Sequence, residues 1–194
     1  MIDVFSNALF SNPPIVLGRR LRPYSLAHNF ALKTIRSPII SGEDWTRSDL
    51  LTACWICRMD LDEIRSKVFA DEPDQSEVAA WSSLLFDEPD ETWDEGYKCF
   101  VDYVSAYCEV PDRLRSGDDK SIKHPWEFFI AVRLAGVKVV NHIDDAWNMA
   151  CNLAHSYHSA WSETQGDESL VTEEDLNPSR TLSVADLMGA KNGD

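Results

Sequence analysis

The sequence predicts an all-α protein, with a bundle-like helical domain followed by a disordered acidic tail. Between Pro- and Gly-containing turns, apolar residues recur at intervals of three and four, the period of one helix face. We count roughly six to eight such segments and no convincing strand pair. Residues 164–194, by contrast, hold seven acids, two bases and no aromatic side chain. We therefore divide the chain into an N-terminal segment (1–17), a helical domain (18–163) and a tail (164–194).

The charge balance limits the kinds of partner. The chain has 33 acidic and 18 basic residues, giving a formal net charge of -15. Nucleic acids and anionic membrane surfaces repel such a chain, because binding to either depends on Lys and Arg. The longest apolar run, residues 126–140, is too short and too charged to cross a bilayer. We expect a protein partner, with neither nucleic acid nor membrane among the ligands.

The cysteines indicate a reducing compartment. Their number, five, is odd, and their spacing does not match a disulfide framework. The first residues lack the basic and apolar regions of a signal peptide, so we expect a cytoplasmic protein with reduced thiols.

The N-terminal segment, residues 1–17, is apolar but is interrupted by two consecutive prolines that exclude a continuous helix. It fits either a strap packed on the helical domain or an arm that docks on a neighbouring molecule. A basic turn follows, in which Arg19, Arg20 and Arg22 form the densest cationic cluster of the chain. These arginines fit contacts with an acidic partner or pairing with acidic loops of their own domain.

Two helices follow the basic turn. Ser25 is a good N-cap for the first helix, and Pro38 ends it at or before the preceding residue. Thr46 or Ser48 caps the second helix, whose apolar side chains at 50–57 surround most of its circumference. A helix that is apolar on most sides is buried, so we place this one at the centre of the domain.

Polar loops separate the remaining predicted helices. Asp60 caps a short amphipathic helix, and a DEPD sequence precedes each of the next two. The stretch after Gly136 fits either a strand or a continuation of the preceding helix. The predicted helices lie at 61–69, 75–86, 91–108, 126–136 and 143–163, with a polar loop at 110–123.

The tail, residues 164–194, buries too little apolar area to offset its chain entropy, so we predict disorder. Within it, Val184, Leu187 and Met188 share one side of a two-turn amphipathic pattern at residues 183–188. A helix this short is marginal in water and would form only on a partner. The other interpretation is a plain solvated tail.

Several residues belong to types that bind metals or act as nucleophiles, but none forms a specific motif. Cys54 and Cys57 have redox-motif spacing inside an apolar helix, and we interpret them as buried structural thiols. Cys151, His155 and His158 share one helix face and include the ligand types of zinc. The pattern supplies no fourth ligand, so we interpret the histidines as packing or interface residues.

Two weaker candidates have simpler explanations. His142 with Asp144 and Asp145 fits acid–base or metal chemistry, but a cap at a helix start, formed by Asn141 or Asp144, is the commoner use of such residues. The carboxylates at 71–74 and 87–91 lack the ligand order and central Gly of a calcium loop. Phosphate-loop, nucleophile-elbow and HExxH sequences do not occur. The sequence therefore predicts no enzyme, no metal and no cofactor.

In residues 17–58, an Arg-rich turn leads into a short helix closed by Ser-Pro, and an Asp-Leu start opens a helix with Cys, Trp and a following Arg. The positions are Arg19, Arg20, Leu21, Pro23, Ser25, Leu26, Ser37, Pro38, Asp49, Leu50, Cys54, Trp55, Ile56, Cys57 and Arg58. This layout resembles tail-assembly-chaperone-type proteins of tailed bacteriophages, with a looser similarity at 147–161 and in the acidic tail. The resemblance implies a non-enzymatic helper that binds the helical tape-measure protein during tail assembly and is absent from the finished particle.

We therefore expect a tail assembly chaperone acting in the bacterial host cytoplasm. Seven Trp is a large number for a monomer of this size, and Trp is enriched at interfaces. The alternatives are a structural particle component, such as a tail or head-tail fitting protein, and an enzyme using residues 142–158. Self-association into homo-oligomers is left open. The candidate partner contacts are Arg19, Arg20, Arg22, Trp147, Trp161, Val184, Leu187 and Met188.

Overall fold

The computed structural model of the chain describes residues 13–71, 75–108, 113–115, 125–165 and 168–170. These described residues form nine helices and four short strands, which confirms the predicted all-α class. The chain divides into two units, one within residues 1–110 and 121–158, the other within residues 111–120 and 159–194. Most of the predicted disordered tail, the helical pattern at 183–188 and residues 1–12 lie outside the described residues.

Most helices agree closely with the predicted segments, and the exceptions are a short helix at Pro38–Ser41, in the predicted break, and the last predicted helix. Their bounds are α1 (Leu26–Thr34), α2 (Pro38–Ser41), α3 (Arg47–Ile56), α4 (Leu61–Lys67), α5 (Ser76–Leu84), α6 (Asp90–Cys108), α7 (Trp126–Gly136), α8 (Ile143–Trp147) and α9 (Cys151–Gln165). Helix α9 begins in the first unit and ends in the second. Among the helices of the described ranges, none combines the length and the apolar character that a membrane crossing needs.

Local side chains start three of these helices. The Ser25 hydroxyl accepts from the His28 backbone N–H, and the His28 ring accepts from the Ser25 N–H in return. Thr46 begins α3 and Asp60 begins α4 with the same reciprocal arrangement. Each capping box satisfies backbone donors that the first turn of a helix leaves unpaired. The predicted caps are confirmed.

The core of the first unit is built around α3. Its side chains are buried on nearly every side, which confirms the central position that its apolar sequence predicts. Other helices contribute fully buried residues to the same cluster: Leu26, Leu32, Ile64, Phe100, Ile130 and Leu134. Helices from both ends of the unit therefore share one core.

A small β-hairpin corrects the expectation that strands are absent. Strand β1 (Ile15–Val16) pairs with β2 (Arg19–Arg20) in antiparallel register. The turn residues Leu17 and Gly18 have φ angles of 46° and 73°, the geometry that matches the twist of a two-residue hairpin. Trp81 holds the turn by donating its indole N–H to the Leu17 carbonyl at 3.2 Å. Strands of two residues are too short for apolar alternation to reveal them.

The prediction of one continuous helix over 143–163 is wrong, because the chain breaks there into α8 and α9. Just after the break, the Cys151 N–H donates to the Tyr24 carbonyl at 2.8 Å, and Ala150 forms a bridge with Ser25. These bonds to a distant segment replace the bonds that a continuing helix would make. They fix the start of α9 beside the start of α1.

The segment after α7 is neither a strand nor a continuation of the helix. Helix α7 ends at Gly136, and the Val137 N–H donates back to the Arg133 carbonyl at 2.9 Å. Lys138 then adopts a φ of 61°, a left-handed conformation that ends the helical path. The chain turns here into the approach to α8.

The second unit contains a two-stranded ladder. Strand β3 (Arg113–Arg115) pairs antiparallel with β4 (Glu168–Leu170), with Arg113 opposite Leu170. Strand β3 lies within the predicted polar loop at 110–123, and β4 lies within the predicted disordered tail. Both predictions are thus corrected at these residues. The last turns of α9, residues 159–165, also belong to this unit.

Candidate functional site

The candidate site is an open apolar groove in the first unit, which we call the aromatic groove. Four helices, α1, α4, α7 and α8, supply most of its walls. Its volume is about 330 Å³. The lining residues are Ala27, Phe30, Leu61, Ile64, Arg65, Phe69, Phe128, Ile143 and Trp147. With a single charged side chain among them, the groove suits an apolar ligand surface.

Edge-to-face and tilted contacts connect the aromatic rings that line the groove. The rings of Phe30 and Trp147 lie 5.4 Å apart at 61°, and those of Phe30 and Phe69 lie 6.1 Å apart at 63°. The rings of Phe128 and Trp147 lie 6.5 Å apart at 44°. Tilted pairs at these distances are favourable because the edge of one ring meets the face of the other.

The groove has a buried floor and an exposed mouth. Phe69 and Phe128 are each 40% exposed, whereas Ile64 and Trp147 are buried. Large apolar side chains that remain exposed side by side around a concave surface are typical of a binding site rather than of a core. The mouth is thus the part that a partner could still cover.

One edge of the groove carries an ion network. The Arg65 guanidinium lies 2.7 Å from Asp144 and 3.4 Å from Asp62. Its hydrogen bond to Asp144 lowers the pKa of that carboxyl and raises the pKa of Arg65. Arg65 is thereby neutralised by two acids, which leaves this edge of the groove acidic.

The predicted arginine contacts are not among the residues that line the groove. Arg22 pairs with Asp60 at 3.4 Å, while its backbone carbonyl accepts from the Tyr103 hydroxyl at 2.6 Å. The Arg19 guanidinium lies 5.8 Å above the Trp81 ring. Arg20 is exposed on β2. Arg22 thus makes the intramolecular pairing that was one of the two interpretations of the basic turn.

The remaining predicted partner contacts lie in different parts of the chain. Trp147 lines the aromatic groove, with 8% of its surface exposed. Trp161 is half-buried on the last turns of α9, in the second unit. Val184, Leu187 and Met188 lie outside the described residues. Trp147 is therefore the predicted contact that the structure brings into the candidate site.

The histidine-rich face of α9 packs against aromatic rings. The Trp126 indole N–H donates to His155 Nδ1 at 3.4 Å, and burial lowers the pKa of His155. The His158 ring is buried and makes edge contacts with Trp126 and Phe129, at 5.2 Å and 5.6 Å between centroids. Within the described residues, no group of three His, Cys, Asp or Glu side chains is arranged to hold a metal.

The other acidic and histidine candidates have structural roles or are exposed. Asp145 accepts from the His142 backbone N–H at 3.2 Å, so this pair begins α8, which corrects the predicted cap at Asn141 or Asp144. Asp90, in the second acidic loop, pairs with Arg47 on α3. Of the first acidic loop, Asp71 alone is described, and it is exposed. These carboxylates cap a helix, pair with an arginine or face solvent.

Cys54 and Cys57 are fully buried, as predicted. Burial raises the pKa of both thiols, because a thiolate would be placed in an apolar interior. Neither thiol is accessible or ionised at neutral pH, which fits the structural role expected from their apolar helix.

Sequence reasoning missed a buried polar group around Glu127, the residue before Phe128 on α7. We call it the Glu127 cluster. The Glu127 carboxylate is 2% exposed and accepts from the Asn29 amide and from the Lys33 ammonium, both at 2.6 Å. Tyr24 donates its hydroxyl to the Asn29 side-chain oxygen at 3.1 Å. A lone acid in the otherwise apolar sequence WEFFIAV was the available signal.

Comparison of the chain with protein-family models, with curated proteins and with solved structures finds no match. A functional proposal therefore depends on the groove and on the resemblance in residues 17–58.

Proposed function

We propose that this protein is a non-catalytic binding protein whose aromatic groove holds an apolar helix of another protein. The observation that carries the proposal is the groove itself, with Phe69 and Phe128 each 40% exposed over a buried aromatic floor. A closed core would cover these rings. A groove left open in this way supports a role in protein recognition.

The dimensions of the groove favour a helix as the ligand. A volume of about 330 Å³ accommodates a small number of large apolar side chains. An amphipathic helix presents such side chains at positions i, i+3, i+4 and i+7, which is the common way of filling a groove between helices. The backbone polar groups of a helical ligand are already paired, so an apolar groove need not supply partners for them.

The charges around the groove favour basic residues beside that apolar stripe. Asp62 and Asp144 flank Arg65, and the chain as a whole carries a formal net charge of -15. A ligand helix with Lys or Arg next to its apolar face would be attracted during encounter and oriented in the complex. An acidic helix of the same shape would be repelled.

The resemblance in residues 17–58 supports a more specific identity for the ligand. Tail assembly chaperones bind the long, helical tape-measure protein in the host cytoplasm, and a helix-binding groove is what such a task requires. Residues Ala27 and Phe30 of the groove lie inside the resembling stretch. We therefore propose a tail assembly chaperone that holds apolar helical segments of a tape-measure protein.

The test is co-expression of the full chain with fragments of the tape-measure protein, followed by affinity capture. A double variant, Phe69→Ala with Phe128→Ala, is expected to weaken binding by roughly 30-fold or more, as loss of central aromatic contacts does at other interfaces. Phe86→Ala is the matched control, because Phe86 is 77% exposed and lies outside the groove.

Two results would contradict the proposal. If folded wild-type protein captures none of the fragments, the tape-measure protein is not its partner. If the Phe69/Phe128 double variant binds as tightly as the wild type, or no more weakly than Phe86→Ala, the groove is not the binding surface.

A further inference from the structure

A second groove of the first unit runs along one side of α6, and we call it the α6 groove. Its volume is about 460 Å³. All but the first of its lining residues belong to α6 and recur at the spacing of one helix face, so the groove follows that helix for about 18 Å. The lining residues are Pro14, Glu95, Lys98, Cys99, Asp102, Tyr103, Ala106 and Tyr107.

The α6 groove has an apolar base and a charged edge. Tyr103 and Tyr107 are buried, with their ring centroids 5.4 Å apart, and Cys99 is half-buried. The three charged residues of the lining are all exposed. Such a surface fits an amphipathic helix, whose apolar side chains meet the base while its polar side chains remain in water.

The described chain begins at the wall of this groove. Pro14 is a lining residue, and its carbonyl accepts from the Leu21 N–H at 3.0 Å. The carbonyl of the next residue, Arg22, accepts from the Tyr103 hydroxyl at 2.6 Å. These bonds hold Pro14 against α6. The residues that precede it, which lie outside the described ranges, are therefore attached directly to the groove.

The sequence of those preceding residues has the pattern that the groove requires. Ile2, Phe5 and Leu9 have the i, i+3, i+7 spacing of one helix face, and Asp3 and Asn7 fall on the opposite face. A helix over residues 2–11 is about 15 Å long, close to the length of the groove. A helix this short is marginal in water and needs a surface that covers its apolar face.

We propose that residues 2–11 pack as a short amphipathic helix in the α6 groove of their own chain. Covalent attachment through Pro14 gives this segment an effective concentration on the order of 1 mM, so it outcompetes a second copy at micromolar concentration. Of the two interpretations of the N-terminal segment, this selects the strap packed on the helical domain. The α6 groove and the aromatic groove share no lining residue, so the proposal does not depend on the helix-binding function.

Alkylation of the full chain with iodoacetamide, followed by peptide mapping, tests the proposal because Cys99 lines the groove. Phe5→Asp with Leu9→Asp is expected to raise the alkylation rate of Cys99 roughly 10-fold, since labelling of a covered site follows the population in which the cover is open. Asn7→Asp with Ser11→Asp is the matched control. It adds the same charge to the opposite face and is expected to keep the wild-type rate.

Two other cysteines serve as internal references, and a second pair of variants tests the groove side. Cys108, exposed on the same helix, is expected to react equally in every variant, and buried Cys54 reports unfolding of the domain. Ala106→Arg, at an exposed position of the lining, is expected to speed amide hydrogen exchange in residues 4–10 roughly 10-fold. Ser105→Arg, at the exposed neighbouring position outside the α6 groove, is expected to leave that exchange unchanged.

Four outcomes would overturn the proposal. Equal Cys99 rates in the wild type and the Phe5/Leu9 variant, with Cys54 still protected, would show that the segment does not cover the groove. Equal acceleration by the Asn7/Ser11 control would show that the apolar face is not what docks. Protection of wild-type Cys99 that is lost on dilution would assign the cover to a second copy. If the Phe5/Leu9 variant unfolds, Ala106→Arg decides, and unchanged exchange in residues 4–10 counts against the proposal.

Discussion

Two regions that both include residues of α1 and α7 use neighbouring side chains for opposite purposes. Asn29 and Glu127 enter the Glu127 cluster, where the carboxylate is 2% exposed and has two donors within 2.6 Å. The next residue on each helix, Phe30 and Phe128, lines the aromatic groove. Polar atoms of the cluster are paired within the molecule, whereas apolar area of the groove is still in contact with water.

The difference shows how the two regions contribute. A buried carboxylate is tolerated only where donors surround it, so the Glu127 cluster fixes the relative position of α1 and α7. The groove needs no internal hydrogen-bond partners. Leaving its rings half exposed costs the folded chain little stability, and covering them with a partner contributes favourably to the free energy of binding. The molecule is therefore expected to lose stability when the buried polar groups are changed, and to lose binding when the groove is changed.

The largest expected effect concerns His28, another buried polar residue of α1. Its Nε2–H donates to the Met59 carbonyl at 2.8 Å, and its Nδ1 accepts from the Ser25 N–H, so the ring is neutral. Burial lowers its pKa from 6.5 to about 4. The unfolded chain therefore binds a proton that the folded chain does not, and stability falls as the pH drops from 6.5 toward 4.

The full loss from this group is about 3 kcal/mol, since each pKa unit is worth about 1.4 kcal/mol. Urea denaturation at pH 7 and pH 4.5 measures it, with His28→Gln as the comparison, because Gln keeps an acceptor at the capping position. Carboxylates also titrate in this range, so the quantity of interest is the wild-type curve minus the variant curve. Parallel curves for the two proteins would contradict the prediction.

Glu127→Ala is expected to have the next largest effect. It leaves the half-buried Asn29 amide without its acceptor, and it lowers the free energy of unfolding by about 2 kcal/mol. Part of the Lys33 interaction is regained from water, because Lys33 is exposed. Glu127→Gln keeps an oxygen acceptor and is expected to lose about half as much. Equal stability of Glu127→Ala and the wild type would show that the cluster contributes nothing.

Much of the fold could be predicted because its signals are local. Ser25, Thr46 and Asp60 were identifiable as caps, since an N-cap acts within its own first turn. The buried α3 was identifiable from its apolar circumference. The break before Cys151 could not be found this way, because the bond that makes it comes from Tyr24, far away in the chain.

The candidate site was predictable only in part. Trp147 was singled out for its residue type, and it lines the groove. Phe30, Phe69 and Phe128 belong to three separate segments, and only the packing of the chain brings them together. The burial of Glu127 was hidden for the same reason, because its partner Asn29 lies 98 positions away. Contacts between distant segments, rather than secondary-structure propensities, determine where these residues lie.

The smallest expected change in stability concerns Phe128, the neighbour of Glu127 on α7. Phe128→Ala is expected to lower the free energy of unfolding by about 1 kcal/mol, since much of the ring is in water already. Denaturation at pH 7 alongside Glu127→Ala measures both changes on one helix. Phe100→Ala provides the buried reference and is expected to cost about 3 kcal/mol or more. A cost at Phe128 equal to that at Phe100 would mean that the groove is part of the core and is not free to receive a partner.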